Sequence, residues 1–130
     1  MNHSEEIQPG CIINIKATLE SVIGAYRNDI LTRVNDHVVR VSVMTEPYFW
    51  HFHPESDETF IVIEGQVGIE FEDREVVIDK GEIITVLRGV VHRTRPIGGR
   101  SVNLTVEREG ATTERVDVDH SFRDGKCRSA

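Results

Sequence analysis

"YFWHFHPESDETFIVIEG", residues 48–65, places His51 and His53 two apart, Glu58 shortly after them, and a β-rich run that closes on Gly65. In an extended segment successive side chains alternate, so His51 and His53 leave one face of the strand while Trp50 and Phe52 leave the other. Pro54 and the polar residues behind it turn the chain. If Glu58 opens the returning strand, its carboxylate faces both imidazoles, and mixed nitrogen and oxygen donors are what divalent metals use. A single histidine on an apolar strand is more often a packed side chain, and a nearby acid more often a surface charge. Two same-face histidines and an acid within one apolar stretch are a different matter. Burying them unpaired is costly, and one cation compensates all three.

A further imidazole stands in "LRGVVHRTR", residues 87–95, where His92 follows the turn-forming Gly89. A barrel can bring it beneath the first three groups. Arg93 and Arg95 then point the opposite way along a regular strand and are expected on the surface.

Around these segments the chain alternates between β-rich runs and turn signals. "DILTRV" (29–34), "HVVRVSVMT" (37–45), "FIVIEG" (60–65), "QVGIEFE" (66–72), "REVVIDKG" (74–81), "EIITVLRG" (82–89), "SVNLTVERE" (101–109) and "TERVDV" (113–118) read as strands. Asn35-Asp36, Glu72-Asp73, Asp79-Lys80-Gly81 and Gly98-Gly99 read as the turns between them. The only helical pattern is "ATLESVIGAY" (17–26), with Leu19, Val22, Ile23 and Tyr26 at three-to-four spacing behind a cap at Thr18; its apolar stripe is expected to pack on a sheet. Many short strands with a single helix predict an all-β fold, a jelly-roll barrel with a short N-terminal helix. The expected organisation is an N-terminal arm with the helix (1–29), a barrel (30–118) and a polar C-terminal tail (119–130).

Composition excludes several classes of function. The 130 residues suit one domain, and 38% hydrophobic with 28% charged residues is ordinary for a soluble globular protein. No apolar run approaches the length that crosses a bilayer. A net charge of −7 repels phosphate backbones, so nucleic acid is not an expected partner. "MNHSEEIQPG" has acids where a secretory signal has a basic and then an apolar region, so cytoplasmic residence is expected. Cys11 and Cys127 have no CxxC spacing and read as free thiols. His120 and Cys127 in the tail are too few to make a second metal site.

The two histidine segments resemble the motifs of the cupin superfamily. The first motif runs Gly, five residues, His-x-His, three or four residues, Glu, six residues, Gly, and His51, His53, Glu58 and Gly65 match it. The second runs Gly, five residues, Pro-x-Gly, two residues, His, three residues, Asn, and Gly81, Gly89 and His92 match it. Thr45, Leu87 and Pro96 stand where the motifs have Gly, Pro and Asn; none of these is a metal ligand in the family, so the departures touch loop geometry rather than ligation. The likeness spans Val38 to Val106 and is nearest to small single-barrel bacterial proteins termed mannose-6-phosphate isomerase-like. It implies the double-stranded β-helix fold and one divalent transition metal ion per chain on His51, His53, Glu58 and His92. Iron, manganese, nickel, zinc and copper all tolerate such ligands.

Four protein ligands on an ion that accepts five or six leave room for water or substrate. The expected function is therefore a metal-dependent enzyme that oxidises, isomerises or decarboxylates a small organic molecule; the alternative is a non-catalytic small-ligand binding or sensing module. No acid or base beyond the ligands stands out in the sequence. Arg40, Ser42 and Met44 share one strand face and Val39, Val41 and Val43 the other, and whichever set lines the cavity decides whether Arg40 meets an anionic substrate. A solvated Arg40 is the expectation. Trp50 and Phe52, opposite the histidines, are expected outside the barrel and under a second subunit in a homodimer, unless the helix or first strand covers them.

Overall fold

β-branched and aromatic residues recur from Tyr26 onward, and the chain answers with eight strands in a computed structural model that describes residues 10–20 and 26–118. The strands are β1 (Tyr26–Val34), β2 (His37–Met44), β3 (His51–Phe52), β4 (Glu58–Phe71), β5 (Glu75–Asp79), β6 (Ile83–Val86), β7 (His92–Arg108) and β8 (Glu114–Arg115), preceded by helix α1 (Ile15–Glu20). All pair antiparallel in one curled sheet. No helix among the described residues is long and apolar enough to cross a membrane.

Two long strands set the curl. The first half of β4 pairs with β6 and with the second half of β7, which continues to β2 and β1. The second half of β4 pairs with β5 and with the first half of β7, which lies beside β3 and then β8. Each long strand thus passes from one wall of the jelly roll to the other. "FIVIEG" and "QVGIEFE" are therefore one strand, not two. The bend falls at Gly65, where φ is +73° and a Cβ would sit 2.6 Å from the Arg100 carbonyl oxygen. Opposite it, the register moves from Gln66↔Ile97 to Glu64↔Val102. Gly98-Gly99, expected as a turn between strands, is the matching corner inside β7, which begins at His92 rather than Ser101. "TERVDV" contributes only the two residues of β8.

One apolar cluster, including Met44, Phe60, Val62, Ile69 and Phe71, joins the inward faces of both walls. A second lies outside, where Leu19 of α1 packs with Leu31, Val41, Val43 and Val102 and is flanked by Ile15 and Leu104. The helix does pack an apolar stripe on the sheet, but it starts earlier than expected. Asn14 is its cap, its Oδ1 accepting the Ala17 N–H at 2.9 Å, while the Thr18 hydroxyl donates back to the Asn14 carbonyl at 3.0 Å. Val22 and Ile23 lie outside the described residues, and Tyr26 opens β1 opposite Met44 instead of closing the helix.

The aromatics opposite the histidines also depart from expectation. Trp50 is only 5% exposed, and the Arg93 guanidinium lies over its ring, 5.3 Å from the centroid. Phe52 is half-buried. Arg93 and Arg95 do face outward, as parity requires, but each is tied down: Arg93 to Glu70 at 2.8 Å and Arg95 to Glu75 at 2.7 Å. Trp50 is therefore buried within the one chain, with an arginine of β7 over its ring.

Candidate metal centre

His51 lies on β3, His53 just beyond it, and Glu58 and His92 open β4 and β7. The pairing of β3 with β7 sets His51 directly opposite His92, with ring centroids 4.4 Å apart. The segment between His53 and Glu58 is held from several sides: the Asp57 carboxylate accepts the Arg88 N–H at 2.8 Å, and Ser56 Oγ accepts the Arg108 N–H at 2.9 Å. Gly89, at φ +80°, donates its N–H to the His53 carbonyl at 2.9 Å and ties the turn before His92 to the strand bearing the other histidines. All four side chains are buried, and one donor atom from each lies within 4.8 Å of the others. The structure brings together every site residue expected from the sequence.

The hydrogen bonds around the rings decide which nitrogens face inward. His51 Nδ1 lies 2.8 Å from the Phe49 carbonyl, His53 Nδ1 3.1 Å from the Thr112 carbonyl, and His92 Nδ1 2.9 Å from the Val90 carbonyl. A carbonyl only accepts, so each Nδ1 carries its proton and each Nε2 keeps a lone pair in the neutral ring. His53 Nε2 and His92 Nε2 approach Glu58 Oε1 at 3.2 Å and 3.5 Å, and all three atoms are buried without a formed hydrogen bond. Acceptors converging on acceptors are unfavourable unless a cation stands among them. This donor set fits a divalent metal ion.

The local electrostatics keep a carboxylate at the heart of the group, with His51 neutral and His53 drawn toward the charged form. Burial, reinforced by His92, pushes the His51 imidazole down to about 4, so it is a neutral donor at ordinary pH. Burial would raise the Glu58 carboxyl, but its contacts with His53 and His92 outweigh that and hold it down at about 2. Burial likewise lowers His53, and Glu58 reverses the sign, leaving it above its ordinary value.

The centre opens into a cavity of about 320 Å³. Its walls include residues not expected there. Arg40 and Ser42 face inward, so Arg40 is half-buried on the cavity wall and not a solvated surface charge. From β7 come Asn103, Thr105 and Glu107, and burial together with the charge of Glu58 raises the Glu107 carboxyl to about 7. The signal was present in "SVNLTVE", where polar residues alternate with apolar ones. Its apolar face turns out to be the outer one beneath α1, which inverts the usual sense of the pattern. His120 and Cys127 lie outside the described residues, and Cys11 is exposed.

A jelly roll with this buried histidine and glutamate group defines a class, and the sequence matches the cupin domain over residues 37–106. The chain belongs to the cupin family. It is 44% identical over 101 residues to the uncharacterized protein YdbB of Bacillus subtilis (strain 168), covering 77% of this chain and 88% of that one. Among solved structures it is similar to a cupin-2 domain containing protein from Shewanella frigidimarina NCIMB 400, at TM-score 0.71 and 23% identity, covering 75% of this chain and 95% of that one. It is also similar to protein NMB1881 from Neisseria meningitidis, at TM-score 0.68 and 25% identity, covering 75% and 99%.

Proposed function

We propose that His51, His53, Glu58 and His92 hold one divalent transition metal ion, and that the protein is a metal-dependent enzyme that oxidises, isomerises or decarboxylates a small organic molecule. The observation that carries this is the set of Nδ1 bonds to backbone carbonyls, which leaves the Nε2 lone pairs of His53 and His92 turned toward Glu58 Oε1 with no hydrogen bond between them. Such a centre, when loaded, supplies a Lewis acid with positions open to substrate oxygen. The cavity beside it favours a catalytic site over a closed structural one, and Glu107 supplies a titratable group, and Arg40 a fixed positive charge, that are not ligands. Kinship with the mannose-6-phosphate isomerase-like single-barrel proteins, cytoplasmic residence and assembly as a homodimer belong to the same reading.

Elemental analysis of protein purified without added metal tests the first part, with about one transition metal ion per chain expected. An oxygen-consumption screen against small organic acids, thiols and sugars tests the second. Iron or copper with oxygen uptake assigns an oxygenase, and turnover without oxygen assigns an isomerase or decarboxylase. A metal-loaded protein that binds ligands without turnover overturns the enzyme in favour of a binding module, and a metal-free one overturns the centre itself.

A further inference from the structure

The cavity wall opposite the four-residue centre has its own chemistry. Arg40 of β2 is half-buried there, and its guanidinium makes one weak contact, Nη1 to Asn28 Oδ1 at 3.4 Å, with no carboxylate within 4 Å among the described residues. The ion-paired arginines of the described residues, by contrast, have their acidic partners on the surface or the outer sheet face. Glu107 shares the cavity and feels the charge of Arg40, but no carboxylate is close enough to pair with the guanidinium, so Arg40 is a ready partner for an anion from solution.

Two further groups on the same wall lack partners. Asn103 is 1% exposed and Thr105 4%, and neither Asn103 Oδ1 nor Thr105 Oγ1 has a hydrogen bond. The Asn103 amide nitrogen is turned to the Leu104 carbonyl at 3.4 Å, so its oxygen is left as a buried acceptor without a donor, in a residue of the cavity wall. Buried polar groups are rarely left unpaired, and here both line the same open space as Arg40.

The register gives the span. Arg40 pairs with Thr105, and Thr105 with Phe60, two residues beyond Glu58 on the same face of β4. Adjacent strands lie about 4.8 Å apart, so Arg40 stands roughly 10 Å across the sheet from the strand that carries Glu58. With the arginine side chain extended, a molecule of a few carbons bridges that gap. The cavity volume is at the small end of the range for ligand sites. Charge agrees as well: with a divalent ion bound, the ion and Arg40 outweigh Glu58 and Glu107 even when both carboxyls are ionised, so the cavity attracts an anion.

We infer that the cavity binds a small hydroxy acid, its carboxylate held by Arg40, a hydroxyl donated to Asn103 Oδ1, and its remaining oxygens turned toward the His51, His53, Glu58 and His92 centre. The inference rests on the cavity being the substrate site proposed above and adds the class of substrate and the residue that selects it.

Calorimetric titration of the protein as purified, with lactate, malate, gluconate, propionate, lactamide and glycerol 3-phosphate as probes, tests it. At least one hydroxy acid is expected to bind, with lactamide weaker by about tenfold or more and Arg40→Gln weakening the acids by about tenfold to a hundredfold, the worth of a charge-assisted contact. Arg40→Lys should recover part of the loss, metal content should be unchanged in both variants, and Asn103→Leu should shrink the preference for lactate over propionate. Acid binding indifferent to Arg40→Gln, no acid binding above lactamide, or preference for glycerol 3-phosphate would each overturn the inference. The same titrations on chelated protein separate the two proposals. A protein that never carries an ion but binds acids through Arg40 removes the metal centre and keeps this inference, whereas an ion-loaded protein with Arg40-independent binding does the reverse.

Discussion

His92 sits at the point where the centre depends on fold rather than on local sequence. It is 1% exposed, hydrogen-bonded through Nδ1 to Val90, and aimed at Glu58. His92→Ala is expected to bring metal content from about one ion per chain to near zero, because the remaining ligands cannot close the shell, while circular dichroism stays that of a β protein. Unchanged stoichiometry in that variant would exclude His92 as a ligand. Glu58→Gln keeps the shape but removes the charge that balances the ion, and a similar loss of metal is expected by the same assay.

At the scale of elements, the bend of β4 is where the architecture is most exposed to a single substitution. Gly65 combines a left-handed φ with a 2.6 Å approach of the Arg100 carbonyl to the space a Cβ would fill. Gly65→Ala is expected to destabilise the fold by about 1–3 kcal/mol, read as a lower denaturant midpoint at unchanged slope, because the strain cannot relax without opening the corner between β4 and β7. Leu19→Ala tests the outer face. Removing the one described helix side chain that is buried against the sheet should cost about 2–3 kcal/mol, or less if the helix simply undocks, and should leave metal content untouched.

For the whole molecule, the barrel has a core that does not depend on the ion, since neither apolar cluster includes any of the four ligand side chains and only Phe60 of the inner one packs edge-on against His92. Chelation is therefore expected to lower Tm, by the mass-action term for a ligand that binds only the folded state, without unfolding the protein at room temperature. Collapse of the β spectrum on chelation would show instead that the ion is structural. Assembly as a dimer makes a separate prediction. Trp50 is sealed beneath Arg93 and offers little to a partner, whereas Val77, Ile83 and Leu87 remain 50–63% exposed on and beside β5 and β6. Light scattering at low micromolar concentration should give a dimer mass, and Ile83→Glu with Leu87→Glu should give a monomer if that face carries the contact. A clean monomer mass for the unaltered chain would rule the dimer out.

Much of this protein is legible in short-range pattern. The period-two alternation around His51 and His53, the return at Glu58, the β-branched runs and the turn residues all act within a few positions, so by themselves they point to a β barrel and to three of the four candidate ligands. His92 enters through its spacing after Gly81 and Gly89, a likeness to a family rather than a local rule. Pattern cannot settle matters of facing and continuity. Arg40 alternates with valines whichever way the strand is turned, and only the packing of Val41 and Val43 beneath α1 sends Arg40 into the cavity. Glu107 looks like one more charge in "TVERE" until β7 pairs with β4 and sets it beside Glu58. Gly65 and Gly98-Gly99 read alike as strand ends, because a glycine that permits a turn equally permits a bend. The choice between the two is made by the partner strand, whose pairing resumes in a shifted register on the far side of the corner, from Glu64↔Val102 to Gln66↔Ile97.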